Sequence, residues 1–304
     1  MGSHMYLSQF LEVSAGRLHE SIRLDEDILI HGFSPLSETR GETISWSRSE
    51  DIDWSEIRAS VIICPIATPT PPSSSFVLVR TESPRKLFAE WLNLFVSSLA
   101  PILSGIEKTA VVHSTAKVHG TAYVGHFAVI EEDVVIGARS SVGHHSVVGS
   151  KTVIGDDVIL KPHCVVGEDG FGFERDDNNI PVRIPHIGWV EIKDHAEIGS
   201  FTTVCRGTLG ATRIMNHAKV DDHVHIAHNV VINARAMIVA CAEISGSTEI
   251  GQDSWVAPGS VIRDAIVVGR DVVIGLGTIV TKDVPDGSIV LGNPGRVREK
   301  KSNV

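Results

Sequence analysis

The chain has 304 residues, 42% of them hydrophobic and 21% charged, with a formal net charge of −10. That length admits two domains and that composition a sizeable buried core, which excludes a disordered chain. The acidic balance excludes a sequence-independent nucleic-acid binder, which needs a basic surface to displace phosphate counterions, and no stretch approaches the ~20 uninterrupted apolar residues of a membrane span.

The first five residues, Met1 to Met5, read as a tag remnant. No charged-then-apolar leader follows, and Cys64, Cys164, Cys205 and Cys241 show no paired spacing. Reduced thiols and a cytoplasmic location are the expectation. Residues 6–105 read as a small α/β domain. Val61-Ile62-Ile63 and Phe76-Val77-Leu78-Val79 are short apolar strands on either side of the proline- and serine-rich stretch Pro65 to Ser75. Ser83-Pro84 then starts a helix through Leu87, Phe88, Trp91, Leu92 and Phe95, with serine as cap and proline in the first turn.

Residues 106–285 carry an internal repeat. A large aliphatic residue returns at every sixth position through Val112, Val118, Val124, Ile130, Ile136, Val142, Val148, Ile154, Leu160 and Val166. The frame resumes at Ile192, Ile198 and Val204 and, after a four-residue insertion, runs from Ile214 to Val280. Two residues before most of these stands a small or β-branched residue, such as Ala122, Ala128, Thr152, Thr212 or Ser260. Two inward side chains per six residues describe a short strand and a corner, stacked into a parallel β-helix. Three strands close a coil, so about eighteen residues advance one rung of ~4.8 Å.

Between Val166 and Ile192 the frame is broken by Glu168-Asp169-Gly170-Phe171-Gly172-Phe173 and by Pro181 to Pro185, which must loop out of the coil. An aromatic, glycine-flanked loop beside a rigid scaffold is a candidate substrate lid; a loop that covers a neighbouring subunit is the competing reading. Further along, inward Ile226 places His228 at a corner, facing away from the core. One rung on lies Gly246, in Ile244-Ser245-Gly246-Ser247. A glycine stacked over a histidine leaves a notch in which the amide can donate to a thioester carbonyl while the imidazole takes a proton from an attacking amine. No serine or cysteine nucleophile with an adjacent base is evident, so direct attack is expected. His126 with His144, and His145 with His163, share the rung spacing and should stack. Past Val280, residues 286–304 read as a basic tail with Arg296, Arg298, Lys300 and Lys301.

At this point the residues carry a resemblance. Val220 to Ile232, with Ile226-Ala227-His228-Asn229 inside it, is similar to the catalytic coil of the UDP-3-O-acylglucosamine N-acyltransferases of lipid A synthesis. So are Asp169 to Phe173, Ile184-Pro185-His186-Ile187-Gly188, Arg206-Gly207 and Ser245-Gly246-Ser247, in that family's order, and in the amino-terminal domain Pro35-Leu36 and Gly41 to Trp46. The resemblance implies a left-handed helix, against the usual crossover hand, and homotrimers with catalytic clefts between subunits. It implies His228 as general base, Gly246 as the amide of the oxyanion site, Trp46 as the ring that stacks on uracil, and Asp169, Phe171, Phe173, Arg206 and Asn229 around the substrate. An ordinary core tryptophan is the other reading of Trp46.

Three departures from that pattern stand out. No histidine lies near Asp264-Ala265, where the family has a second one; Cys205 replaces the acid before Arg206-Gly207; and the family's helical end is replaced by Gly277 to Pro285 and Gly292-Asn293-Pro294-Gly295-Arg296. That ending resembles hexapeptide acetyltransferases that use acetyl-CoA, and implies Lys282, Asn293 and Arg296 as contacts for the acyl donor, a solvated tail being the alternative. The expected activity is therefore acyl transfer to the amine of a nucleotide-linked amino sugar. The donor is acyl-CoA in preference to acyl carrier protein, with no permanently bound cofactor or metal. Lipid A synthesis itself is the first alternative. A zinc site of the γ-carbonic-anhydrase kind, built across a subunit boundary from His223 and His228 with His217, His225 or His195, is the second, and a scaffold without turnover the third.

Overall fold

The computed structural model describes residues 4–14, 18, 26–71, 76–99 and 103–299. Met1 to Ser3 of the expected tag remnant, Lys300 and Lys301 of the expected tail, and Ser73 to Ser75 lie outside the described residues. The chain divides into two compact units, Met1–Ile102 and Leu103–Val304.

The first unit is built on a parallel sheet of Gly32–Phe33, Thr43–Trp46, Val61–Pro65 and Val77–Thr81, in that order. The helix expected from Ser83-Pro84 runs Pro84–Leu99 and buries Leu87, Trp91 and Phe95. Those residues share one helical stripe, and they pack with Ile44, Val61, Ile63 and Val79 of the sheet in one apolar cluster. A second helix, Leu7–Val13, adds Leu7 and Phe10; the Trp91 indole N–H donates to Ser14 Oγ at 2.6 Å, so its one polar atom is satisfied inside the core. Met5, assigned to the tag remnant, is buried and pairs with Ile30 in a short antiparallel ladder.

The second unit is the parallel β-helix that the six-residue period predicts. Three parallel sheets make its faces: one from Gly105–Ile106 to Ser288–Leu291, a second from Val111–Val112 to Ile279–Val280, and a third from Lys117–Val118 to Val267–Val268. Inward aliphatics from Val124 to Val290 form one continuous core. Several small polar residues fit among them because the hydroxyl bridges two rungs: Ser140 Oγ donates to Gly155 O at 2.7 Å and accepts from Val158 N–H at 2.9 Å. Thr202 does the same with Asp221 and Val224, so in these residues hydrogen bonding offsets the desolvation of the buried hydroxyl.

The corners explain the rest of the repeat. Coil after coil places non-glycine residues at positive φ from Phe127 onward, among them His145, His163, His223, Asn229 and Ser247. The left-handed region costs such residues roughly 1–2 kcal/mol. Each of these is held by a backbone bond or a threonine hydroxyl of the rung before: His223 N–H donates to Ser200 O, Ser247 N–H to His228 O, and Asn229 N–H to Thr212 Oγ1.

The basic tail expected over residues 286–304 is not a tail in its described part. Ser288–Leu291 joins the first face beside Val273–Ile274, and Arg296–Glu299 returns antiparallel to it. Ser288 and Val290 continue the inward pattern, and the Gly292-Asn293-Pro294-Gly295 turn between two short runs lets the chain fold back and cover the last coil.

Candidate active site

The interruption after Val166 forms a hairpin, Phe173–Arg175 against Pro181–Arg183, and the ladder resumes where Val153 pairs with Glu191. At its base Gly167, at φ +95°, carries a carbonyl that accepts from Arg206 Nε at 2.5 Å. The mostly buried guanidinium also approaches Asp169 at 3.7 Å. Arg206, expected at the substrate, thus anchors the root of the Asp169–Phe173 loop. Phe171 is 87% exposed, and Phe173 lies beneath the Arg183 guanidinium at 4.7 Å.

The four-residue insertion before Ala211 has a specific task. Thr208 donates through its backbone N–H at 3.1 Å and pairs through its hydroxyl at 3.0 Å with Oδ1 of Asn229. A backbone N–H can only donate, so the atom it meets is the amide oxygen. That same oxygen lies 3.0 Å from Nδ1 of His228. Nδ1 must therefore carry the proton, which leaves Nε2 as the acceptor. The insertion, through Asn229, sets the imidazole in the tautomer a general base requires.

Gly246 lies over that ring. A Cβ placed on it would come 2.7 Å from Cε1 and 2.9 Å from Nε2 of His228, closer than any real side chain allows. Ser245 N–H and Ser247 N–H are spent on Ile262 O and His228 O, whereas the Gly246 amide meets no acceptor among the described residues. Imidazole and amide open into a cavity of about 400 Å³ lined also by Phe171, His225, Ala227, Glu243, Ser245, Ser247, Asp264 and Ala265.

Behind His228 stands a second imidazole. His186 is 5% exposed, its ring centroid 5.2 Å from that of His228, and neither of its nitrogens makes a hydrogen bond of good geometry. Burial holds its pKa below the usual imidazole value, with the neighbouring His228 acting in the same direction. Gly170 and Gly172 pack on these two rings, and a Cβ on Gly172 would come 2.7 Å from His186 Cε1. Thr208 and Glu243 were not among the expected site residues, His186 entered only within a motif of the resemblance, and His225 only as a ligand of the zinc alternative. Thr208 is the hydroxyl of the insertion, and Glu243 an acid one coil beyond His225 on an outward strand position; those were the available signals.

Of the expected residues, His228, Gly246, Asn229 and Phe171 come together here. Trp46 lies in the amino-terminal unit, half-buried, with its ring 5.6 Å from that of Phe88. Lys282, Asn293 and Arg296 are exposed near the last coil, two rungs beyond that of Gly246, or about 10 Å along the axis. No thiol competes with direct attack at this cavity. Burial pushes Cys205 up to about 11 and Cys164 up to about 12, while exposed Cys241 sits at a different corner. The histidines of the zinc alternative do not converge within the chain. His195 stacks on His217 at one corner and His223 on Phe201 at another, and among the described residues no three potential ligands meet.

The fold and this corner define a hexapeptide-repeat β-helix protein, left-handed like the acyltransferases it superposes on. The chain is 49% identical over 77 residues to the UDP-3-O-acylglucosamine N-acyltransferase of Anaeromyxobacter dehalogenans (strain 2CP-C), a match covering 24% of this chain and 22% of that protein. It is 48% identical over 71 residues to the enzyme of the same name from Methylococcus capsulatus, covering 23% and 20%. The chain thus spans less than a quarter of the length of these curated relatives. Among solved structures, the UDP-N-acetylglucosamine acyltransferase of Francisella novicida aligns with a TM-score of 0.57 at 26% identity, over 61% of this chain and 66% of that one. No protein-family model matches the chain.

Proposed function

We propose that the protein transfers an acyl group from a thioester to the amine of a nucleotide-linked amino sugar by direct attack. His228 is the general base and the Gly246 amide the oxyanion donor. One observation carries this reading. Asn229 holds the Nδ1 proton, so Nε2 presents a lone pair under an unengaged amide at the edge of a cavity. As the amine attacks, Nε2 accepts its proton, and the same proton then passes to the departing thiolate. The amide receives the carbonyl oxygen as it becomes an anion, the interaction that strengthens only in the transition state.

In this reading Trp46 offers a ring face to the pyrimidine base, and Asp169, Phe171 and Phe173 line the approach of the sugar. Lys282, Asn293 and Arg296 meet the acyl donor. Acyl-CoA is preferred as donor, since exposed cations of the terminal hairpin suit its phosphates. The working assembly is a homotrimer. The local identity to relatives named for UDP-3-O-acylglucosamine favours a second reading, in which that compound is the acceptor and a carrier protein brings the acyl chain.

The test is thiol release from acyl-CoA and from acylated carrier protein, with UDP- and dTDP-linked amino sugars as acceptors. Wild-type turnover with at least one pair is expected, and His228→Ala should lose it by 10²–10⁴-fold with the assembly intact. More than about a tenth of the activity left in that variant would remove His228 as the base.

A further inference from the structure

Amide formation from an amine has a proton balance that ester formation lacks. An alkyl amine arrives near neutral pH as an ammonium. It sheds one proton to become a nucleophile and a second once the new C–N bond has formed, and His228 Nε2 accounts for only one of these. A hydroxyl acceptor arrives neutral and sheds a single proton. A site for amines therefore needs a second proton acceptor, preferably an anion that also attracts the cation.

The cavity that contains His228 and Gly246 holds such a group. Glu243 points outward from the Glu243–Ile244 strand, one rung beyond His225, and lines the cavity beside Ser245 and Gly246. Its carboxylate is half-buried, yet it accepts no hydrogen bond and forms no ion pair among the described residues. By contrast, acids at outward strand positions of other coils have partners: Glu191 pairs with Lys193, Glu197 with Lys161 and Lys219, and Glu249 accepts from the Asn233 amide. Across the rung the titratable group facing it is His225; Asp264 lies on the same cavity wall, and the Cys205 thiol, kept protonated, lies on the near side. An unpaired, partly desolvated carboxylate is costly to keep unless something arrives to meet it.

We propose that Glu243 receives the ammonium of the acceptor sugar and takes its first proton, which makes the site selective for amino sugars over their hydroxyl counterparts. Burial raises the proton affinity of this carboxyl, which suits that transfer. The sequence balances. One N–H proton passes to a Glu243 oxygen, leaving a neutral amine and a carboxylic acid. The amine nitrogen bonds to the thioester carbon as the C=O π pair moves onto oxygen, at the Gly246 amide. The nitrogen gives its second proton to His228 Nε2. The C–S bond breaks, the thiolate takes that proton from His228, and Glu243 returns its own to water. Overall, ammonium and thioester become amide, thiol and one free proton.

This inference rests on the acyl-transfer reading, so its test has a binding arm that needs no turnover. Isothermal titration compares UDP-linked 2-amino, 3-amino and 4-amino hexoses with UDP-glucose on the wild type, Glu243→Gln and Glu243→Asp. At least one amino sugar should bind the wild type about tenfold or more tightly than UDP-glucose. Glu243→Gln should abolish that margin without changing UDP-glucose affinity, and Glu243→Asp should keep part of it. Equal binding of amino and hydroxy sugars to the wild type, or a margin that survives in Glu243→Gln, overturns the proposal. In thiol release, Glu243→Gln should lower kcat/KM for the amine at least thirtyfold with the donor KM unchanged. A Glu243-dependent margin without thiol release from any donor would sink the acyl-transfer reading and the proton-transfer half of this proposal, and leave the ammonium contact standing.

Discussion

In the proposed reaction the role of His228 depends on what neighbouring atoms forbid. Asn229 fixes which nitrogen bears the proton, and Gly246 keeps the space over the ring empty. Alanine at 246 would bring a methyl group to 2.7 Å from Cε1, so the imidazole must swing away from the amide with which it cooperates. We expect kcat of Gly246→Ala to fall by 10²–10³-fold, the range for loss of an oxyanion donor. The melting temperature should stay within about 3 °C, because the residue is on an outer corner and contributes nothing to the aliphatic core. A fully active Gly246→Ala would place the oxyanion elsewhere.

Among the elements, two insertions into a regular coil build the site. The shorter one supplies Thr208, and the longer one lays Gly170 and Gly172 across His186 and His228. They support each other, since Ile187 N–H donates to Thr208 O at 2.9 Å. A methyl on Gly172 would meet the hemmed-in His186 ring, so the loop rather than the ring must yield. Gly172→Ala should raise the acceptor KM about tenfold and speed proteolytic cleavage within residues 173–183, with the melting temperature unchanged because the hairpin lies outside the core. An unaltered KM together with unaltered cleavage would show that the loop is no lid. These insertions are where the sequence reading thins. Period and face determine where Ile226 points and hence where His228 emerges, so the outward corner position of His228 was legible from spacing, while the role proposed for it came from the family resemblance. The path of an irregular loop has no period, so the approach of His186 to His228, forty-odd positions apart in the chain, left no signal in either segment. The terminal hairpin was legible in principle, as a Gly-Asn-Pro-Gly turn between Ile289-Val290 and Val297. The positive charge around it drew attention instead to a solvated tail.

The whole β-helix is a one-dimensional stack, and each coil is stabilised mainly by the coil before and the coil after. A core defect in the middle loosens two interfaces, whereas the same defect at an open end loosens one. Ile226 is fully buried between the coils that carry Val204 and Ile244, while Val112 in the first coil is only partly buried against the core. Ile226→Ala removes a fully enclosed side chain and leaves a cavity, at a cost of about 2–5 kcal/mol; Val112→Ala should cost less than about 1.5 kcal/mol, because much of that side chain already meets water. Ile226 also forms the floor directly before Ala227-His228-Asn229, so its loss should loosen the corner that aligns Nε2 with the Gly246 amide. The expected pattern, in urea unfolding at one fixed protein concentration and in thiol release, is a large shift in midpoint with lost turnover for Ile226→Ala and near wild-type behaviour for Val112→Ala. Equal destabilisation by the two would mean that the coils unfold as one block rather than as coupled neighbours, and that stability at His228 is not set locally.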